Sequence, residues 1–222
     1  MKRVLKALVL GAAISLLCVS PSSAAPPTMN NTQVRAATGD AFWNIDPDHS
    51  DGTTRFVGVA VVQGRSTGNN PVANLIAEDT TQHWQDGHPA GFTSTRVSNA
   101  TSGFTFSQRQ PLATGKLTLT GSALPATTCD YDANGADVPG SCTTTTVTLN
   151  IDWVGFGQTF RDVSTFHSGP PDNPEIVFNE HDIVFVREAT ATGTFNSEVL
   201  GASTQALLGS INIGQHCAGC ES

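Results

Sequence analysis

Lys116-Leu117-Thr118-Leu119-Thr120-Gly121-Ser122-Ala123-Leu124 and Thr143-Thr144-Thr145-Thr146-Val147-Thr148-Leu149-Asn150-Ile151-Asp152-Trp153 are two runs in which apolar and polar residues alternate. A period of two marks strands with one buried face. Between the runs lies Cys129-Asp130-Tyr131-Asp132-Ala133-Asn134-Gly135-Ala136-Asp137-Val138-Pro139-Gly140-Ser141-Cys142, which is turn chemistry with a cysteine at each end. The stretch from Gly115 to Gly157 therefore predicts a long β-hairpin with a disulfide-clasped tip. Val147, Leu149, Ile151 and Trp153 share one face of the second arm, and Leu117, Leu119, Gly121 and Ala123 share the matching face of the first. Gly121 leaves room for a large side chain, and Trp153 is a candidate to fill it.

Outward from the hairpin, short strands follow one another. Arg55 to Gly64, Val72 to Glu78, Phe92 to Val97 and Phe104 to Arg109 precede it, with Asp79 to Gly91 read as a loop. Thr159 to His167, Glu175 to Phe178, His181 to Arg187, Thr190 to Phe195 and Ala206 to Ile213 follow it. Val72 to Glu78 and the Ala206-Leu207-Leu208 end of the last run also suit a short helix. Ser168-Gly169-Pro170-Pro171-Asp172-Asn173-Pro174 is the strongest breaker. Roughly nine or ten strands at this spacing, with no βαβ rhythm, predict an all-β fold, an antiparallel β-sandwich or barrel. Residues 26–39 are polar and Pro-bearing and read as a flexible lead-in, with a single domain over 40–222.

The start of the chain is targeting chemistry. Lys2, Arg3 and Lys6 precede an apolar run from Ala7 to Val19, and Ser22-Ser23-Ala24-Ala25 offers a cleavage site. Residues 1–25 thus read as a signal peptide, and the expected location is extracellular. Cys18 follows Leu17, where lipid attachment wants a smaller residue. No later run is apolar enough for a membrane span in the mature chain. The mature balance is 8 basic against 19 acidic residues, with Lys116 the only lysine. Such a surface repels phosphate backbones and anionic lipid, which argues against nucleic acid as a partner. Cys129, Cys142, Cys217 and Cys220 remain after cleavage, an even count that suits disulfides in an exported chain. Three pairings are open, and nearest neighbours, 129 with 142 and 217 with 220, are preferred.

Asp130-Tyr131-Asp132-Ala133-Asn134-Gly135 matches the first half of a calcium loop, with oxygen ligands at alternate positions before a sharp bend. Asp137 can complete a looser site. The twelfth position, where a bidentate glutamate belongs, is Ser141, and Asn-Gly is itself a turn signal. His83 and His88 flank Trp84 and Asp86. His181 lies between Glu180 and Asp182, and alternation puts it on the face of Ile183 and Phe185 with both acids on the other. His167 ends a strand. These four histidines are the candidates for acid–base chemistry. Cys217-Ala218-Gly219-Cys220 has redox spacing but no room for a following helix, which favours a structural disulfide. Nucleophile-elbow, zinc-protease, Walker and dinucleotide signatures are absent from the sequence, and scattered carboxylates such as Asp152, Asp162, Glu175, Glu188 and Glu198 single out no glycosidase pair.

Trp153-Val154-Gly155-Phe156-Gly157, Ser164-Thr165-Phe166-His167 and Arg187-Glu188-Ala189-Thr190-Ala191-Thr192-Gly193 resemble segments of small secreted all-β proteins of actinobacteria. The resemblance implies an all-β fold for the C-terminal half and supplies no site residues. Two functional expectations follow: a secreted, non-catalytic binding or structural domain that meets an extracellular or cell-envelope ligand, or a secreted hydrolase or lyase using histidine and carboxylate acid–base groups. No cofactor is expected apart from the calcium candidate.

Overall fold

The computed structural model describes residues 30–48, 51–169 and 177–218. The signal segment, most of the proline-rich breaker, Glu175 and Cys220 lie outside them. The strands are β1 (Asn30–Ile45), β2 (Thr53–Ser66), β3 (Asn70–Gln85), β4 (His88–Ala100), β5 (Phe104–Arg109), β6 (Thr114–Leu119), β7 (Leu124–Asp132), β8 (Thr143–Val147), β9 (Leu149–Ser168), β10 (Val177–Phe195), β11 (Glu198–Leu200) and β12 (Gln205–Ala218). They form one antiparallel sheet in the order β5-β6-β9-β10-β12-β1-β2-β3-β4-β7-β8, with β11 on β10. The sheet curls into a half-barrel, and no α-helix occurs among the described residues.

The hairpin forms, but it is split between the two ends of this order. Its lower half is β6 on β9, from Thr114↔Val154 to Thr118↔Asn150. Its upper half is β7 on β8, from Leu124↔Val147 to Thr128↔Thr143. The lower half borders β10 and the upper half borders β4. One ribbon thus joins both ends of the sheet, which requires the sheet to curl. Phe106 and Leu117 from one end and Val97 and Leu124 from the other accordingly share a single apolar cluster with Val57, Leu75, Ile151 and Trp153. Across the opening, the Phe106 amide of β5 donates to Gln63 Oε1 of β2, and Gln108 Nε2 donates to the Gly209 carbonyl of β12 at 3.0 Å.

Cys129 and Cys142 are bonded just beyond the last ladder pair, with Cα atoms 4.1 Å apart. Closing a loop of this length removes unfolded-state entropy worth about 3 kcal/mol. Cys217 is also disulfide-bonded and buried.

Three expectations change. Among the described residues the sheet has twelve strands rather than nine or ten, chiefly because β1 begins at Asn30, inside the stretch that reads as a lead-in, and β7 and β11 are not separate runs in the sequence pattern. Residues 177–178 of the run at 175–178, together with the runs at 181–187 and 190–195, meanwhile belong to one strand, β10. The first part of β1, from Asn30 to Ala41, is mostly polar or small, and at Gly39 rings from across the sheet press on it. A Cβ at Gly39 would lie 2.9 Å from Phe106 Cζ. Second, Asp79 to Gly91 is a hairpin, not a loop. Asp86 and Gly87 carry φ of 52° and 75°, the two positive values that a two-residue hairpin turn needs. Third, Gly121 makes no room for Trp153, since it is exposed with nothing within 4 Å of its added Cβ. Gly39 makes that room, its added Cβ lying 3.4 Å from the Trp153 ring, while Gly115 makes room for Leu208 and Phe106. The Trp153 ring meets Phe106 edge-on at 5.6 Å, and its Nε1 donates to the Asp40 carbonyl at 2.9 Å.

Asp40 lies behind this contact, on the other face of β1. Its side chain lines a cavity of about 10 Å³ with Thr38, Asn74 and Ile76, near the lower limit for a single water. Burial raises its pKa from 3.8 to about 6. Thr38 Oγ1 and Asn74 Oδ1 beside it are buried without a hydrogen-bond partner.

Trp153→Ala opens a cavity under the ribbon and is expected to cost about 3–5 kcal/mol, read as a melting temperature lower by roughly 10 °C. Asp40 gives a pH signature. An acid whose folded pKa lies above its unfolded value is destabilising once ionised, so its cost is absent below about pH 4, grows between about pH 4 and 6, and then levels. Asp40→Asn should therefore match the wild type in urea unfolding at pH 4 and exceed it by roughly 1–3 kcal/mol at pH 7. A difference that does not vary across that window would refute the assignment.

Candidate functional site

The acidic tip is built as a turn. Asp132 ends β7, and its Oδ1 accepts the amides of Asn134 at 2.8 Å and Ala136 at 2.9 Å. These bonds to Ala136 and then Asn134 hold its carboxyl below the usual range. Gly135 takes φ of 80°, and Asp137 is bridged through its backbone to Tyr131. Asp130 Oδ1 turns to the neighbouring strand, where it accepts Thr93 Oγ1 at 2.7 Å. Ser141, at the position a calcium loop gives to glutamate, binds the Asp130 backbone: its Oγ accepts the amide at 3.0 Å and donates to the carbonyl at 3.2 Å. Asp130, Asp132, Asn134 and Asp137 are thus near in sequence, but the first two spend a carboxylate oxygen on the fold.

His83 and His88 flank the Asp86-Gly87 turn of β3 and β4, and both are exposed. His83 Nε2 lies 3.4 Å from Thr93 Oγ1, so His83, Thr93 and Asp130 form a chain across β3, β4 and β7. The order decides its chemistry. The threonine proton goes to the carboxylate, which leaves its oxygen to accept from His83. A nucleophile needs the opposite arrangement, with the histidine taking the hydroxyl proton. Trp84 Nε1 reaches Thr54 Oγ1 at 3.2 Å.

His167 and His181 lie at the other end of the sheet. Here β9 and β10 form the outer part of a wing that β12 and β1 continue, paired from Arg187↔Thr159 to Phe178↔Ser168 beyond a bulge that sets Phe156, Gly157 and Gln158 against Glu188. His181 faces the same side as Ile183 and Phe185, with Glu180 and Asp182 behind, as the alternation implies, and it is exposed. The register also sets His167, Asn179, His216 and Asn31 side by side on β9, β10, β12 and β1. Nδ1 of His167 donates to Asn179 Oδ1 at 2.5 Å, and Nδ1 of His216 donates to Asn31 Oδ1. His216 and Asn31 are 185 residues apart, so no local spacing reveals the pair. The structure brings His167 and His181 to one open face and places His83 and His88 at the opposite end.

Behind the wing, Glu180 Oε2 accepts Gln215 Nε2 at 2.7 Å, and Ser164 Oγ lies 3.4 Å from Asp182 Oδ2. Burial first, and the neighbouring Glu180 second, raise the Asp182 pKa. The other carboxylates are structural or exposed. Asp152 pairs with Lys116 at 3.2 Å, and Glu198 joins Arg55, whose Nε meets Asp79 Oδ1 at 2.7 Å. Among the described residues, no group of three His, Cys, Asp or Glu side chains gathers in a metal-holding arrangement, and no helix is long and apolar enough to cross a membrane. Asp40 and the Arg55 ion pair escaped sequence reasoning, because both depend on strand register. Comparison of the chain with protein-family models, curated proteins and solved structures finds no match.

Proposed function

We propose that this chain is a secreted, non-catalytic domain that works by contact, in binding or structure outside the cell or at its envelope. The observation that carries this reading is the wing. It carries the sheet on through β9, β10, β12 and β1 past the end of β6 and displays Phe156, Phe160 and Phe166, all about half exposed or more. Exposed aromatics in one place suit contact with another surface. The acid–base candidates, by contrast, sit at opposite ends of the sheet on open faces, and the one chain that links histidine, hydroxyl and carboxylate has its proton running away from a nucleophile. The acidic balance suits an uncharged or basic envelope partner rather than a polyanion.

A screen over polysaccharides, esters and peptides is expected to show no turnover above the level of a His83→Ala/His167→Ala/His181→Ala variant. Robust hydrolysis abolished by one of these substitutions would overturn the reading in favour of the hydrolase. Calcium at the tip has less support, because Asp132 Oδ1 already caps its own loop. Chelator is expected to leave the melting temperature unchanged. A calcium-dependent rise that Asp132→Asn removes would instead make the tip a calcium site.

A further inference from the structure

The outer edge of the wing carries a second meaning. β6 pairs with β9 only up to Val154, and Gly155 closes that contact by donating to the Ala113 carbonyl at 2.9 Å. From Thr159 to Ser168 the inner side of β9 is laddered to β10, while no strand borders its outer side among the described residues. Natural edges of this length are commonly blunted by lysine, proline or a covering loop. Residues 156–168 contain neither lysine nor proline, and Phe160 and Phe166 stand 61% and 56% exposed on one face.

We infer that this edge pairs with the same edge of a second copy of the chain, antiparallel and centred on Val163. The sequence Phe160-Arg161-Asp162-Val163-Ser164-Thr165-Phe166 is nearly a palindrome. A two-fold axis through the sheet sets residues of equal parity opposite each other on one face. Centring on Val163 puts Phe160 against Phe166 twice, Arg161 against Thr165 and Asp162 against Ser164. Centring one residue earlier sets Asp162 against Asp162, and two earlier sets Arg161 against Arg161, both unfavourable. Centring one residue later leaves Phe166 opposite Asp162. One register alone joins the aromatic pairs without opposing like charges. It also continues the hydrogen-bonded sheet from one protomer into the next. The two Asp162 side chains remain diagonal neighbours at about 7–8 Å, so association strengthens with salt.

This inference rests on the wing being the contact surface and names its occupant. Sedimentation of the purified mature chain should show a species of twice the monomer mass at micromolar concentration, favoured by added salt. Phe160→Ser/Phe166→Ser should weaken association about a hundredfold, with circular dichroism unchanged. Register is read by cross-linking: Val163→Cys, which faces itself, should form a disulfide dimer under mild oxidation, whereas Thr165→Cys should not. A wild type that stays monomeric, a serine variant that still dimerises fully, or cross-linking through Thr165→Cys alone would each overturn the inference. A monomer that nonetheless binds an envelope polymer through the same phenylalanines would overturn self-pairing and leave the proposed function standing.

Discussion

Everything in this fold depends on one ribbon being shared by two ends of a sheet. Its lower half, β6 on β9, borders β10, and its upper half, β7 on β8, borders β4. The chain passes between the halves through residues 120–123 on one arm and Thr148 on the other. A flat sheet in this order would leave the halves far apart, because neighbouring strands add about 4.8 Å each. Strand twist supplies the curl, and the connection makes it obligatory. The disulfide between Cys129 and Cys142 secures the upper half where the ladder gives way to turn.

The curl has a cost in space that small residues meet. Phe106 and Trp153 are carried inward and press on β1, which answers with Gly39. Farther along the same strands the buried face changes sides. On β12 the buried residues are Ala206 and Leu208 on one face and Ile211 and Ile213 on the other; on β1 they are Ala41 and Trp43, then Ala36. Val61 and Val62 mark the crossover on β2. The sheet therefore has a core on its inner side near the ribbon and a thinner apolar layer on its outer side toward the wing.

That reversal explains what the sequence reveals and what it hides. The hairpin arms, the clasp and the row of Val147, Leu149, Ile151 and Trp153 were legible because each strand there keeps one buried face. The Ala206-Leu207-Leu208 run looked partly helical because adjacent apolar residues serve opposite faces of a strand. Asn30 to Gly39 of β1 reads as a lead-in because small, polar residues resemble a linker in composition. The Asp86-Gly87 dipeptide encodes its turn locally, with φ of 52° and 75°, although the polar residues and two histidines around it give the stretch a loop's composition. The contacts of His167 with Asn179, of His216 with Asn31 and of Arg55 with Asp79 depend on register between distant strands, which no local pattern encodes.

The same geometry decides where function can reside. Side chains from both ends of the sheet fill its inner side, with Trp153 and Leu117 almost wholly buried. The turn end, with His83 and His88, is made of tight hairpins whose carboxylates hold their own loops. The wing differs because β9 outruns β6. Having left β6 at Val154, β9 has hydrogen-bonding capacity on one side and phenylalanine on one face. A strand in that condition gains from a partner what interior strands gain from the fold. Extending the sheet there disturbs neither the ribbon nor the core, so contact can form without conformational change in the part of the molecule that maintains its shape.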